Sequence, residues 1–258
     1  MAVNVGNLDI DLFLLVFMRF TGMIVFNPIF GRSAVPSVLK VGLSLLCAAV
    51  VTPVLGVSGP VIGSIPELIV DLLMELTVGL AIGVLVDILF AVVMVAGEQM
   101  DMQMGLGMAN LYDPGSGVTA PLMGSFFNVL MMVVFLAGDA HLSFLAMATD
   151  SFRAIPPGTA WPTAASARFL VNMAGDMFSM GLRMALPVIA VEFIALISIG
   201  LLMKAVPQIN IFTVGIQLET GLGILIVLIS VPVIVALCGR LSTFIIEKTA
   251  ELIRLMVR

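Results

Sequence analysis

Ionisable residues inside long apolar stretches are the groups in this 258-residue sequence best placed to do chemistry. A charged side chain in an apolar environment is costly, so each one needs an oppositely charged partner or contact with water. The residues of this kind that the apolar segments contain are Arg19, Glu75, Asp87, Glu98, Asp101, Arg183, Glu192 and Glu219. These positions are therefore candidates for an ion path, for buried ion pairs or for contacts with other proteins.

Acidic residues of the third apolar segment fall into two stripes when the segment is drawn as a helix. At 100° per residue, Asp87, Glu98 and Asp101 lie within about 60° of one another. Glu67, Asp71 and Glu75 lie on the opposite side. Two interpretations are open: a path for cations, or pairing with basic residues of this chain or of neighbouring chains.

Catalytic chemistry has little support in the sequence. His141 is the single histidine, and it lacks the companions that a metal site requires. Tyr112 and Asp113 could suggest an aspartyl intramembrane protease, but Pro114–Gly117 continue them as a turn and not as a helix. The sequence has no phosphate-binding glycine loop. We therefore predict a protein that is not an enzyme, with no catalytic residues, metal or cofactor.

Composition places the chain in or against a membrane. Hydrophobic residues make up 61% of the sequence and charged residues only 10%, with a mean hydropathy of +1.23. A soluble domain of this composition could not give its helices a polar face. The net charge of -5 excludes a typical nucleic-acid-binding surface. Cys47 and Cys238 lie in apolar runs and are predicted to be core residues, which excludes a disulfide scaffold.

The apolar runs predict an all-α, membrane-associated fold of six mainly apolar helical segments, several of them long and kinked. The predicted segments are Leu8–Phe30, Ser37–Val57, Glu67 to about Met104, Leu122–Thr149, Phe169–Met203 and Ile211–Met256. The third, fifth and sixth exceed 30 residues, so they either protrude from the membrane or are broken. Gly79, Gly83, Pro187 and Pro232 are the candidate breaks. Basic residues of the connections are too evenly divided to predict the orientation in the membrane.

A methionine cluster runs into a glycine-rich segment between the third and fourth predicted helices. The cluster comprises Met94, Met100, Met102, Met104 and Met108. We call residues 105–120 the central loop; Asp113 is its only charged residue. Bare backbone of this kind is not tolerated in lipid, so the loop must lie in water or in a protein-lined cavity. The methionines either fill gaps in the core or form an adaptable seal.

Four motifs in the same order resemble the FliR family, which provides subunits of the flagellar type III export gate. They are Gly97–Gly117, Asn27–Pro36, Gly138–His141 followed by Ser151–Pro157, and Ala205–Asn210. The resemblance covers essentially the whole chain and favours the flagellar branch over the virulence homologues. Asp139 departs from the family pattern, in which we expect glycine or a second histidine.

The resemblance implies a pore in the bacterial inner membrane, within the flagellar basal body. In that pore one such chain joins several FliP and FliQ subunits and exports unfolded flagellar proteins, and an FlhB-type subunit is a further expected partner. It also implies a FliP-like four-helix part at residues 1–155, a linker at 156–167 and a FliQ-like helical hairpin at 168–258.

In the family the central loop plugs the closed pore, and we carry this role over to residues 106–118. The expected plug residues are Leu106, Met108, Leu111, Tyr112, Asp113, Pro114, Gly115 and Gly117, beside Met100, Met102 and Met104. The expected subunit-interface residues are Gln208, Asn210, Glu75, Asp87, Glu98 and Asp101. Two alternatives stay open, namely a stand-alone solute or ion transporter and an inert assembly scaffold.

Overall fold

The computed structural model describes residues 9–32, 34–56, 63–106, 121–205 and 215–256. This part of the chain forms seven helices: α1 (Ile10–Val25), α2 (Ser37–Leu55), α3 (Ile65–Gln103), α4 (Leu122–Ala137), α5 (Ala140–Ala154), α6 (Ala164–Ala205) and α7 (Ile216–Met256). The helices α2, α3, α6 and α7 are each long and apolar enough to cross a membrane. The consecutive helices α4 and α5 pass the same test together as a fifth, broken span. The predicted all-α membrane fold is confirmed.

The three longest helices run through the positions at which breaks were predicted. They contain 39 (α3), 42 (α6) and 41 (α7) residues. Helical structure continues through Gly79, Gly83, Pro187 and Pro232, so none of these candidate positions ends a helix. At a rise of 1.5 Å per residue each helix is about 60 Å long, roughly twice the hydrocarbon thickness of a bilayer. These helices therefore extend well beyond a single membrane crossing.

The prediction of one helix over Leu122–Thr149 is wrong, because the helix is interrupted at Gly138 and Asp139. Asp139 has a φ of 54°, in the left-handed region that a continuing helix cannot use. Its carbonyl oxygen accepts the N–H groups of Leu142 and Ser143 and so begins α5. Aspartate tolerates this conformation better than most residues, and glycine tolerates it best. The unexpected aspartate thus occupies a position with a backbone suited to glycine.

A hydrogen-bonded cap sets the start of α6. The backbone N–H of Ser166 donates to Thr163 Oγ1 at 3.1 Å, and the N–H of Thr163 donates back to Ser166 Oγ at 3.2 Å. This reciprocal pattern resembles a capping box and satisfies N–H groups that the first turn leaves free. The helix α6 therefore begins at Ala164, inside the segment 156–167, whose role as a linker between two parts stays a prediction.

The chain divides into two compact units. Unit 1 consists of the described residues within Met1–Leu89, Asp139–Ala174 and Ser242–Arg258, and unit 2 of those within Phe90–Gly138 and Gly175–Leu241. Both units take parts of α3, α6 and α7. The division into FliP-like and FliQ-like parts stays a prediction, because it rests on sequence resemblance.

A buried ion pair occupies the core of unit 1. Arg19 of α1 and Glu75 of α3 are both fully buried, and Arg19 Nε donates to Glu75 Oε2 at 2.5 Å. The other carboxylate oxygen of Glu75 accepts the backbone N–H of Gly158 at 3.0 Å. Glu75 therefore finds its partner within this chain. Its role at a subunit interface stays a prediction, although the carboxylate has no exposed surface in this chain.

The rest of the Arg19 guanidinium contacts α5 and the residue that follows it. Nη2 donates to the carbonyl oxygen of Ile155 at 3.0 Å, and Nη1 lies 3.4 Å from Ser151 Oγ. The guanidinium carbon also lies 4.2 Å from the ring centroid of Phe152, which is a cation–π distance. One arginine thus joins α1, α3 and α5 through its donors and its flat face.

Close helix contact brings Arg19 to Glu75. A Cβ atom at Gly79 would overlap the carbonyl oxygen of Arg19, and one at Gly22 would come within 2.6 Å of the backbone nitrogen of Leu80. Only glycine permits this approach of α1 and α3 without movement of the backbone. Gly79 therefore serves packing and does not break the helix.

We predict that Glu75→Gln will strongly destabilise the protein, because it leaves the buried Arg19 charge without its counter-charge. The expected loss is about 3–5 kcal/mol of unfolding free energy, as for other broken buried pairs. The matched control is Glu98→Gln, which alters an exposed carboxylate of the same helix. Thermal unfolding in detergent measures both variants. Equal melting temperatures for the two would contradict the structural role of the pair.

Candidate functional site at the base of the central loop

Most residues of the predicted plug lie outside the described residues. These are Gly107, Met108, Leu111, Tyr112, Asp113, Pro114, Gly115 and Gly117, and the predicted interface residues Gln208 and Asn210 lie outside them as well. Their roles stay predictions. The structure does describe the first two residues of the central loop, Gly105 and Leu106, and also Pro121, which follows the loop and precedes α4. We call the contacts among the end of α3, the start of α4 and the start of α7 the loop base; all of them lie in unit 2.

Asp101 joins the two ends of the central loop. Its side chain is only 4% exposed, and the backbone N–H of Met123 donates to both carboxylate oxygens, at 3.0 and 3.1 Å. The first N–H groups of a helix lack internal partners and carry partial positive charge, so a carboxylate at this place is well stabilised. Asp101 thus accepts its hydrogen bonds within this chain, and its role at a subunit interface stays a prediction. The central loop therefore begins and ends beside the same contact between α3 and α4.

Two glycines allow α3 and α4 to touch at the same place. A Cβ atom at Gly97 would overlap the backbone of Gly124. A Cβ atom at Gly124 would in turn lie 3.0 Å from Met94 Sδ and 2.9 Å from Pro121 Cγ. This contact lies one helical turn from the Asp101 hydrogen bonds, so backbone packing and the carboxylate hold the same crossing.

The start of α7 completes the loop base. Thr220 Oγ1 donates to the carbonyl oxygen of Met104 at 2.8 Å, which satisfies one of the carbonyl groups left free where α3 ends. One turn further along α7, Gly223 faces the Met104 side chain so closely that an added Cβ would overlap it. Sequence reasoning missed Thr220 and Gly223, because no local motif shows which distant backbone they meet.

The methionine cluster is divided between two environments. Met100 and Met104 are buried, whereas the Met102 side chain is 66% exposed and Met94 is half-buried. Met108 lies outside the described residues. Two methionines thus fill the core of the loop base, and Met102 is the described member free to contact another surface.

The acidic residues of α3 also differ in environment. Asp87 and Glu98 are exposed, while Asp101 and Glu75 are buried and hydrogen-bonded. Pairing within the chain therefore explains Glu75, and a backbone N–H satisfies Asp101. Since neither predicted stripe is uniformly exposed, this arrangement gives no support to a continuous cation path along α3.

Two polar side chains at other predicted positions have buried atoms without hydrogen-bond partners in the described part of the chain. They are Nδ1 of His141 and both carboxylate oxygens of Glu192. The described residues contain no group of three or more possible metal ligands. His141 and Glu192 are thus not assembled into a recognisable metal site among the residues that the structure describes.

We predict that Gly223→Ala will loosen the loop base, because the added methyl group would overlap Met104 and come within 2.7 Å of Glu192 Oε1. Overpacking of this kind costs about 1–3 kcal/mol. Gly221→Ala is the matched control, since a Cβ there meets no described atom within 4 Å. Limited proteolysis of the purified protein, read at the central loop, should show faster cleavage for Gly223→Ala only. Unchanged cleavage in Gly223→Ala would contradict the contact.

Comparison with known proteins identifies the family. The profile of "Bacterial export proteins, family 1" matches residues 10–244. The chain is 29% identical to the flagellar biosynthetic protein FliR of Bacillus subtilis (strain 168), covering 97% of this chain and 98% of that protein. Identity is also 29% to the FliR proteins of Pectobacterium carotovorum subsp. carotovorum and Escherichia coli (strain K12), each with 92% of this chain and 90% of the relative covered. The helices, the membrane-length spans and these matches together show that the chain belongs to the FliR family of bacterial flagellar export proteins.

Proposed function

We propose that the chain is a subunit of the flagellar type III export gate in the bacterial inner membrane. It forms a pore with FliP and FliQ homologues, beside an FlhB-type subunit, and unfolded flagellar proteins pass through this pore. The central loop helps to close the pore between export events. Family membership supports the export role, and the loop base is the observation that carries the proposed closure.

The loop base holds together the two helices that flank the central loop. Asp101 and Met123 are hydrogen-bonded although 22 residues separate them. Thr220 fastens the end of α3 to α7 at the same base. The intervening backbone must find water or protein, because lipid offers it no hydrogen-bond partners. A protein-lined pore satisfies this requirement, and a loop anchored at both ends can enter such a pore without altering the surrounding helices.

Exposed apolar helices support assembly with other membrane subunits. In the most apolar windows of α2, α6 and α7 only 22% of residues are buried within the chain, against 61% in α3. Asp176 and Arg183 of α6 are exposed beside a groove of about 590 Å³ in unit 2. Charged side chains on such a helix require protein or water around them. Helices of FliP and FliQ homologues would supply this cover.

Interface residues are part of this proposal. Gln208 and Asn210 carry amide side chains in the sequence between α6 and α7, and Asp87 and Glu98 are exposed carboxylates of α3. Helices in a membrane pack through small residues and hydrogen bonds more than through apolar contact. We infer that these four side chains contact neighbouring subunits or the water of the pore.

Alternative functions have weaker support. A stand-alone transporter of the common repeat-built kinds would show internal repeats with matching broken helices, and the sequence shows no convincing duplication. An inert scaffold would have the same partners but a loop without control over leakage. An enzymatic role is not part of the proposal, since the relatives are named biosynthetic proteins of the flagellum.

We predict that deletion of residues 110–117 will raise the permeability of cells to small ions, because the pore loses its closing segment. Gly117→Asp should have the same direction of effect, since it puts a second charge beside Asp113 in a segment that is otherwise uncharged. Ion uptake or dye entry measures the leak, and co-purification of the subunits confirms that the complex still forms. If the assembled deletion complex leaks no more than the parent, the loop only connects two helices and does not close the pore.

We predict that co-expression with FliP and FliQ homologues will increase the yield of the chain and give a stoichiometric complex. Substituting Gln208 and Asn210 together by leucine should reduce that complex. Asn172→Leu is a suitable control, because it removes an exposed amide elsewhere on the chain. A detergent-solubilised monomer that transports a solute on its own would contradict the proposed assembly.

A further inference from the structure

Glu192 is a buried acidic side chain that the contacts of unit 2 leave without a partner. The residue is 2% exposed, and in the part of the chain that the structure describes both carboxylate oxygens are shielded from solvent and accept no hydrogen bond. Within the described residues it takes part in none of the observed ion pairs. An ionised carboxylate in such a place costs several kcal/mol, whereas a protonated one is neutral and far easier to bury.

The carboxyl group lies where α7 meets the end of α3. A Cβ atom at Gly223 of α7 would lie 2.7 Å from Glu192 Oε1 and would overlap the side chain of Met104. Thr220, one turn earlier, donates to the Met104 carbonyl oxygen. Glu192 therefore borders the loop base directly, and any charge placed on it is placed at this contact.

The charged groups around this contact do not neutralise Glu192. On α7, Glu219 is a like charge that acts on Glu192. On α3 the nearest to Met104 is Asp101, whose carboxylate is occupied by the Met123 N–H. On α6 itself, Arg183 and Lys204 are exposed and lie nine and twelve residues away along the helix. An ionised Glu192 would thus add a second negative charge to that of Glu219, with no counter-charge paired to it among the described residues.

We propose that Glu192 is a proton-binding site that controls the packing of the loop base. With a proton bound, the neutral carboxyl group is buried among Met104, Gly223 and α6. When the proton passes to water, the carboxylate draws in solvent and favours separation of α7 from the end of α3. The effect of this separation on the pore rests on the proposed function, but proton binding at Glu192 does not.

Infrared difference spectroscopy of the complex purified with its FliP and FliQ homologues tests the proton directly. The parent at neutral pH should show the carbonyl stretch of a protonated carboxylic acid, and Glu192→Gln should lack it. Glu247→Gln is the control, because this exposed carboxylate of α7 has no part in the loop base or the proposed interface, and it should leave the band unchanged. If the parent minus Glu192→Gln spectrum contains only ionised carboxylate bands, Glu192 is charged in the complex and the proposal is overturned.

Limited proteolysis at the central loop across a pH series tests the coupling. Cleavage in the parent should accelerate as the pH rises and Glu192 loses its proton, after normalisation to protease activity on an unfolded reference protein. Glu192→Gln should stay slow at every pH, and Glu247→Gln should follow the parent. Identical pH profiles for the parent and Glu192→Gln would overturn the coupling. If deletion of the loop causes no leak, the proposed plug function is contradicted. The infrared evidence for a proton on Glu192 is not affected by that result.

Discussion

The cost of burying a carboxylate away from water governs the interior of this protein, and three acidic residues meet that cost in different ways. Glu75 is neutralised by the buried guanidinium of Arg19, which also joins α1, α3 and α5. Asp101 is stabilised by the amino end of α4. Glu192 has neither a cation nor a donor among the described residues. The interactions of Glu75 and Asp101 fix helices in place. Glu192 makes no such interaction, and we propose that its charge state changes how the helices pack.

Glycine contacts make the first two interactions possible. The contact of Gly22 and Gly79 brings α1 against α3 beside the Arg19 pair, and the contact of Gly97 and Gly124 brings α3 against α4 beside Asp101. In each unit a close backbone approach and a buried carboxylate therefore occur together. Apolar packing alone is poorly suited to this task in a membrane, because lipid competes for the same side chains. Small residues and hydrogen bonds specify the helix positions instead.

Local sequence predicted the helices well and their contacts poorly. Apolar runs located six segments, but apolarity continues across Gly138 and therefore concealed the helix break at Asp139. Local sequence predicted a linker through Thr163 and Ser166, whereas these two residues form the hydrogen-bonded cap that begins α6. The partners of Glu75 and Thr220 depend on chain segments 56 and 116 residues away, so no periodicity could identify them. The family resemblance, in contrast, was confirmed over residues 10–244.

Side-specific cysteine labelling of the central loop tests the gate account most directly. Tyr112→Cys would be made in a chain in which Cys47 and Cys238 are replaced by alanine, and the complete complex would be exposed to a membrane-impermeant thiol reagent. We predict slow labelling in the idle complex and fast labelling when an exported protein is arrested in the pore. Equal labelling rates in the two states would contradict the claim that this loop closes the pore.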